Sequence, residues 1–237
     1  MDWSLIQESL PAVLRGLGIT VLLTVIVMAI SLLAGVLVAI ARLSRFRILR
    51  AFLHAYVELF RSTPLLVQLV YIYFALPLVG IKLPAFTAAV VALSLHYTAF
   101  MSEVYRAGIE GIPKGQVDAA KALGMSEKKM YLVVVLPQAF RAVLPVLGNY
   151  LIQLFKDTSL ASVITLQEML FAGQIIAART FDYFTIYTLV FALYFVIGYP
   201  AILGVRHLEK RVGQGYGGKA DMGTRVSHVP GQMQGAI

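Results

Sequence analysis

The sequence contains no cysteine, a single tryptophan and few charges: Asp, Glu, Lys and Arg together make up 14% of its 237 residues. The missing cysteine excludes a disulfide framework and any thiolate metal site, and leaves the redox compartment open. The scarcity of charge excludes an ordinary soluble domain, in which charged residues make up about 25%. No cleavable leader is expected, because MDWSLIQESLP opens with acids instead of a basic segment, and the first apolar run lacks a small-residue cleavage signature. What remains is apolar: 59% of residues are hydrophobic and the mean hydropathy is +0.80. Those proportions belong to an all-α integral membrane protein.

Taken in order, residues 1–15 form a polar lead with Trp3 suited to a membrane interface. Gly16 to Ala41 is uncharged and long enough for a first span, since crossing takes roughly 20 residues. A basic loop follows (Arg42, Arg45, Arg47, Arg50), then a second apolar run from Ala51 to Leu76, interrupted by Glu58, Arg61 and Pro64. A third span is expected from Phe86 to Ile109 and a fourth from Pro137 to Leu160. Residues 161–182 mix apolar residues with Gln167, Glu168, Gln174 and Arg179, the pattern of an amphipathic helix lying at an interface. A fifth span runs from Tyr183 to Val205, and beyond Val212 the chain is glycine-rich and polar, expected to be a flexible tail. The domain reading is an external lead over 1–15, a transmembrane domain over 16–211 and a cytoplasmic tail over 212–237.

Five spans place the termini on opposite sides. The loop 42–50, the segment 106–141 and the tail share one side and carry 15 of the 20 lysines and arginines. The positive-inside rule puts that side in the cytoplasm and the N-terminus outside. Topology thus accounts for the net charge of +8 without nucleic acid as a partner.

Between spans three and four lies a charged island, Pro113 to Pro137. Gln116 to Leu123 has good helix propensity, Gly124 sits where a left-handed C-terminal cap would end it, and Ser126 can cap a second helix until Pro137 resets the chain. A solvated loop is the plain alternative. Against it stand the small residues Ala119, Ala120, Ala122 and Gly124, which let a partner surface approach closely.

Asp118-Ala119-Ala120, Gly124, Val134 and Leu136-Pro137 resemble, in order and spacing, the Glu-Ala-Ala loop of ATP-binding-cassette (ABC) importer permeases, with Asp in place of Glu and Val in place of Ile. Gly16-Leu17-Gly18-Ile19-Thr20, the stretch from Glu58 to Gln68, Ser102 to Ile109 and Lys156 to Leu160 are similar to the polar amino acid branch (histidine, glutamine and arginine types), with Ser62 where that branch often has Gly. The resemblance covers residues 12–210. It implies the five-helix type I importer permease fold in a bacterial inner membrane, and a subunit that is not itself an enzyme. A cytoplasmic ATPase dimer would bind ATP and Mg²⁺ and receive the coupling loop (Asp118, Ala119, Ala120, Gly124, Leu136, Pro137). An external solute-binding protein and a second permease chain, identical or not, would complete the importer. The solute implied is a polar amino acid, or a relative such as an opine, ectoine or cystine.

Charges at membrane depth are costly and point to function by default. Glu58 with Arg61, and Glu103 with Arg106, are three apart on one helix face and are read as ion pairs or a gate near the cytoplasmic side. Gln68, His96, Asn149 and Gln153 fall nearer mid-depth, where they offer a zwitterion donors and acceptors; Lys156 and Asp157 lie toward the outer end of span four. Each can equally bond a neighbouring helix.

Other readings are weaker. Gly213 to Ala220 has phosphate-loop spacing, but Ala220 lacks the Mg²⁺-holding hydroxyl and no buried strand precedes it. A self-contained secondary transporter would show paired repeats, and an intramembrane hydrolase would need a nucleophile and base in register, which Ser94 and His96, two apart on one span, do not offer.

Overall fold

The computed structural model describes residues 1–213, and all regular structure among them is helical. Helix α1 runs from Trp3 to Ala41, started by the Asp2 carboxylate, which accepts the Ser4 and Leu5 N–H groups at 2.9 and 3.2 Å. The polar lead is therefore continuous with the first span. Buried positions on α1 include Gly16, Thr20, Thr24, Ser31, Gly35 and Ala39, a stripe of small residues at nearly four-residue intervals. Close helix approach in a membrane uses such a stripe: a Cβ added to Gly35 would lie 2.7 Å from Met101 Cβ of α4 (Ala85–Glu110).

Helix α4 is the centre of the bundle. Ala88, Ala89, Ala92, Leu93 and Met101 are fully buried on it and join one core with Leu23 and Val27 of α1 and Leu69 of α3 (Leu65–Val70). The Tyr56 hydroxyl of α2 (Arg47–Ser62) donates to Leu95 O of α4 at 2.7 Å.

The second expected span is broken. Thr63, held extended by the proline that follows it, ends α2, and the segment restarting at Leu65 is bent from it by 109°. After α3 come a π turn (Tyr71–Ala75) and a 3₁₀ turn (Leu76–Val79). Among the described residues, four helical stretches are long and apolar enough to cross a membrane, or five when this bent pair counts as one span.

In the charged island, α5 (Lys114–Ala122) ends at Gly124, whose φ of +73° suits glycine, and α6 (Glu127–Met130) starts on the Ser126 hydroxyl. Pro137 does not reset the chain. Helix α6 passes through a π turn (Tyr131–Val135) into α7 (Leu136–Asp157), and Pro137 occupies its first turn. A proline there removes no hydrogen bond the wider turn requires.

Residues 161–182 are not one interfacial helix. A 3₁₀ turn (Thr158–Ile164) leads to α8 (Met169–Thr180), whose buried face, Met169, Gly173 and Ala177, packs between α1 and α9 (Tyr183–Gly213). Small residues make this possible, since a Cβ on Gly173 would lie 2.6 Å from Val190 Cγ2. The expected tail beyond Gly213 and the glycine-rich motif within it lie outside the described residues.

Candidate functional site

The charged island between α4 and α7 is anchored and exposed at once. Ile112, Val135 and Ala139 are buried together, with Ile109 and Val117 against them, so α5 is fastened to the ends of α4 and α7. Ala120 is buried, while Asp118, Ala119, Gly124, Leu136 and Pro137 are exposed and Leu123 is 80% exposed. The island is thus an arm mounted on two spans, with an uncovered tip.

At the same end of the bundle Glu103 is an ionic hub. It pairs with Arg42 just past the end of α1, with Arg106 at 2.7 Å and with Arg61 at 3.9 Å; Arg106 also binds Glu110. The expected Glu103–Arg106 pair is present. Glu58 and Arg61 form no ion pair with each other, because Arg61 turns to α4 instead. Sequence spacing missed Arg42, which is buried although it follows the span directly, and His54, whose Nε2 lies 3.5 Å from Arg42 Nη2. These residues, with Arg50 and Glu58, line a cavity of about 460 Å³.

The polar residues expected at mid-depth divide. Gln68 is a brace for the broken span: its amide donates to Phe60 O, Thr63 O and Thr63 Oγ1 at 2.8–3.0 Å, supplying donors to carbonyls freed where α2 ends. Its Oε1 faces His96 Nδ1 at 3.0 Å. His96 packs tilted against Phe100 and edge-on to Tyr97, Tyr150 closes the group, and Tyr97 donates to Asp157 at 2.7 Å. Arg61 lies over the Phe100 ring at 5.7 Å and so joins this aromatic group to the Glu103 hub. Gln153 lies beside Asp157. Asn149 stands apart, exposed and bonded to Glu209 of α9 at 3.1 Å, and Lys156 lines an apolar groove against α9. Ser94 Oγ is buried without a partner and His96 is engaged with Gln68, so no nucleophile–base pair forms.

Glu168 was legible only as one polar residue among several, yet it is fully buried. Its carboxylate caps α8, accepting the Leu170 and Phe171 N–H groups at 3.0 and 2.7 Å, and also accepts the hydroxyls of Tyr194 (3.2 Å) and Thr20 (3.4 Å). Glutamate is not a favoured cap residue, so no local signal marks it. At the end where α1 and α9 begin, the Asp2 N–H donates to Thr185 Oγ1 at 3.3 Å and the Thr185 N–H donates to Asp182 at 3.0 Å. The Ser4 hydroxyl holds Asp2 below the usual carboxylate range, and the Thr185 N–H does the same for Asp182. Among the described residues, no group of three or more His, Asp or Glu is placed to hold a metal ion.

Residues 31–214 match the family described as binding-protein-dependent transport system inner membrane component. The probable amino-acid ABC transporter permease protein YckA of Bacillus subtilis (strain 168) is 38% identical over 86% of this chain and 90% of its own length. The L-cystine transport system permease protein TcyB of the same organism is 39% identical over 90% of this chain and 92% of its own. The glutamate/aspartate import permease protein GltK of Escherichia coli O6:H1 is 40% identical over 89% and 97%. A crystal structure of an amino acid ABC transporter with histidines superposes with a TM-score of 0.85 at 34% identity, covering 89% of this chain and 99% of that one. The MetNI methionine ABC transporter, at 22% identity and a TM-score of 0.64, shares the fold. In such transporters ATP hydrolysis resides in a separate subunit. An arm mounted on two spans, a polar seam through the bundle and a match over most of its length converge: the chain belongs to the binding-protein-dependent transport system inner membrane components, the membrane permease subunits of ABC importers.

Proposed function

We propose that this chain is the permease of a binding-protein-dependent importer of polar amino acids, working by alternating access with its N-terminus outside and its C-terminus cytoplasmic. The observation that carries the reading is the α5–Gly124–α6 arm, fastened to α4 and α7 by Ile112, Val135 and Ala139 and uncovered at Leu123. Asp118, Ala119, Ala120, Gly124, Leu136 and Pro137 form the seat for one member of a cytoplasmic ATPase dimer, which binds ATP and Mg²⁺. Closure of that dimer moves the arm, and the arm moves the spans on which it is mounted.

The solute path follows the seam from Asp157 past Tyr97, His96 and Phe100 to Arg61 and the Glu103 hub. A carboxylate at one end and guanidinium groups at the other can meet the ammonium and the carboxylate of a zwitterion in turn as it passes, with an aromatic wall between them. Glu58, Arg61, Glu103 and Arg106 form the cytoplasmic gate. Gln68 supports the path by holding the bend of α2 and α3 in place. Residues 16–211 make up the permease domain; a second permease chain completes the path, and an external binding protein delivers the solute. Names of relatives support the solute class: glutamine, cystine and glutamate/aspartate permeases are among them.

The test is ATPase stimulation in the reconstituted complex by its binding protein, loaded in turn with basic, acidic and neutral amino acids, cystine, an opine and ectoine. Stimulation by one amino acid class supports the reading. Uptake that persists without any ATPase subunit overturns it.

A further inference from the structure

Glu168 is a fully buried carboxylate with no cation partner among the described residues, yet its hydrogen bonds reach three helices. Oε2 accepts from the Leu170 N–H of α8, the Thr20 hydroxyl of α1 and the Tyr194 hydroxyl of α9, and Oε1 accepts from the Phe171 N–H. Thr20 is shared further, because its Oγ1 accepts the Met169 N–H at 3.2 Å. Backbone contact is equally tight: a Cβ on Gly16 would lie 2.8 Å from Glu168 O. The polar ties of α8 to α1 and α9 are thus gathered at its first turn.

Tyr194 faces two ways. Its hydroxyl reaches Glu168, with the Thr158 hydroxyl also beside it, and its ring meets Phe155 edge-on at 5.5 Å. Phe155 and Thr158 flank Asp157, and the Thr158 hydroxyl donates to Phe155 O at 2.7 Å, closing the turn that carries Asp157. Asp157 in turn accepts the Tyr97 hydroxyl of α4. A continuous series of packed and hydrogen-bonded groups therefore runs from α8, at the end of the bundle where α1 begins, to the acid that opens the polar seam.

We propose that Glu168 is a positioning residue of the transport cycle, tying α8 to Tyr194 and, through Phe155 and Thr158, setting the place of Asp157 in the solute path. The inference rests on the assignment of Asp157 to that path. A load on α8 from the outer side is felt at Asp157, and a solute held by Asp157 is felt at α8. The competing reading is a staple that holds the fold and nothing more.

A double-mutant cycle separates them. In the reconstituted complex of permease, ATPase and binding protein, uptake per folded complex is measured for Tyr194→Phe, Asp157→Asn and the pair, and again with Glu168→Gln in place of Tyr194→Phe. Coupled residues give a double variant that departs by about fivefold or more from the product of the single effects, whereas independent ones agree within about twofold. The first result is expected. Agreement within twofold, or unchanged uptake in Tyr194→Phe, overturns the proposal and leaves Asp157 in the path. Unchanged uptake in Asp157→Asn removes Asp157 from the path and the proposal with it. If Glu168→Gln does not assemble, the Tyr194→Phe cycle, which removes a single hydroxyl, decides alone.

Discussion

Arg42, at the C-terminal cap of α1, and Glu103 of α4, 61 residues apart in the chain, meet as an ion pair between two nearly buried side chains. Glu103 has other cations within reach, but Arg42 has Glu103 as its only acid among the described residues. Removing the acid therefore strands a buried guanidinium. Glu103→Gln is expected to cost about 3 kcal/mol, seen as a lower melting temperature of the purified permease. Arg42→Gln should cost less, because Glu103 keeps Arg106.

The contact of α4 with α7 depends on Gly108, where an added Cβ would overlap Val143 Cγ1. Gly108→Ala is expected to destabilise by about 1–3 kcal/mol through overpacking. Val143→Ala in the same chain should restore most of the loss. Gly16→Ala has no such remedy, because the nearest atom it meets is a backbone oxygen, Glu168 O at 2.8 Å. Melting curves of the three variants check both statements.

Gly124 stands in open space, with nothing within 4 Å of an added Cβ, but at a φ of +73°. Strain there is a backbone effect of roughly 1–2 kcal/mol, so Gly124→Ala and Gly124→Leu should impair coupling to a similar degree while membrane insertion is kept. ATP-driven uptake in proteoliposomes is the measurement. A loss confined to the leucine variant would locate the effect at the partner surface instead.

Glu58 lines the cavity without an ion pair among the described residues, whereas Arg61 touches both Phe100 and Glu103. Glu58→Gln should shift stability by no more than about 0.5 kcal/mol, and Arg61→Gln should lower uptake markedly. Comparing melting temperature with uptake in each variant tells the two residues apart.

Asp2 and Asp182 both sit below their ordinary value of 3.8. A depressed carboxylate lends stability above its unfolded pKa and loses it as pH falls through its folded pKa. The caps that these carboxylates make at the starts of α1 and α9 are therefore intact from neutrality down to about pH 4 and weaken only below it. Asp2→Asn and Asp182→Asn variants should differ from the parent in melting temperature at pH 7 and converge with it near pH 2.

Much of this was legible from local pattern. The third span falls within a residue of α4 at each end, and Gly124 and Ser126 mark the turn and the cap of the arm between α4 and α7, because backbone requirements at those positions narrow the choice of residue. Pairings across helices were not legible. Spacing on one helix suggested Glu58 with Arg61, but the partner Arg61 takes is on α4, and nothing local to Arg42 or Glu168 shows that the fold will bury them. Pro64 signalled an interruption, but the size of the bend depends on how α3 packs on α4 and how Gln68 caps the free carbonyls.

The π turn at Tyr131–Val135 gives the α5–α6 arm an angular setting. Each residue of an α-helix advances about 100° around its axis, but the wider turn fits one more residue into the same rotation, so the arm stands at an angle to α7 that the same residues wound as plain α-helix would not give. The bearing of Leu123 and Asp118 on a partner is thereby decided outside the helix that carries them. Removing one residue from the turn would let an ordinary α-helix take its place with the arm at nearly its present bearing, whereas tightening the turn to α geometry with every residue kept would swing the arm by about 100° and turn another of its faces outward.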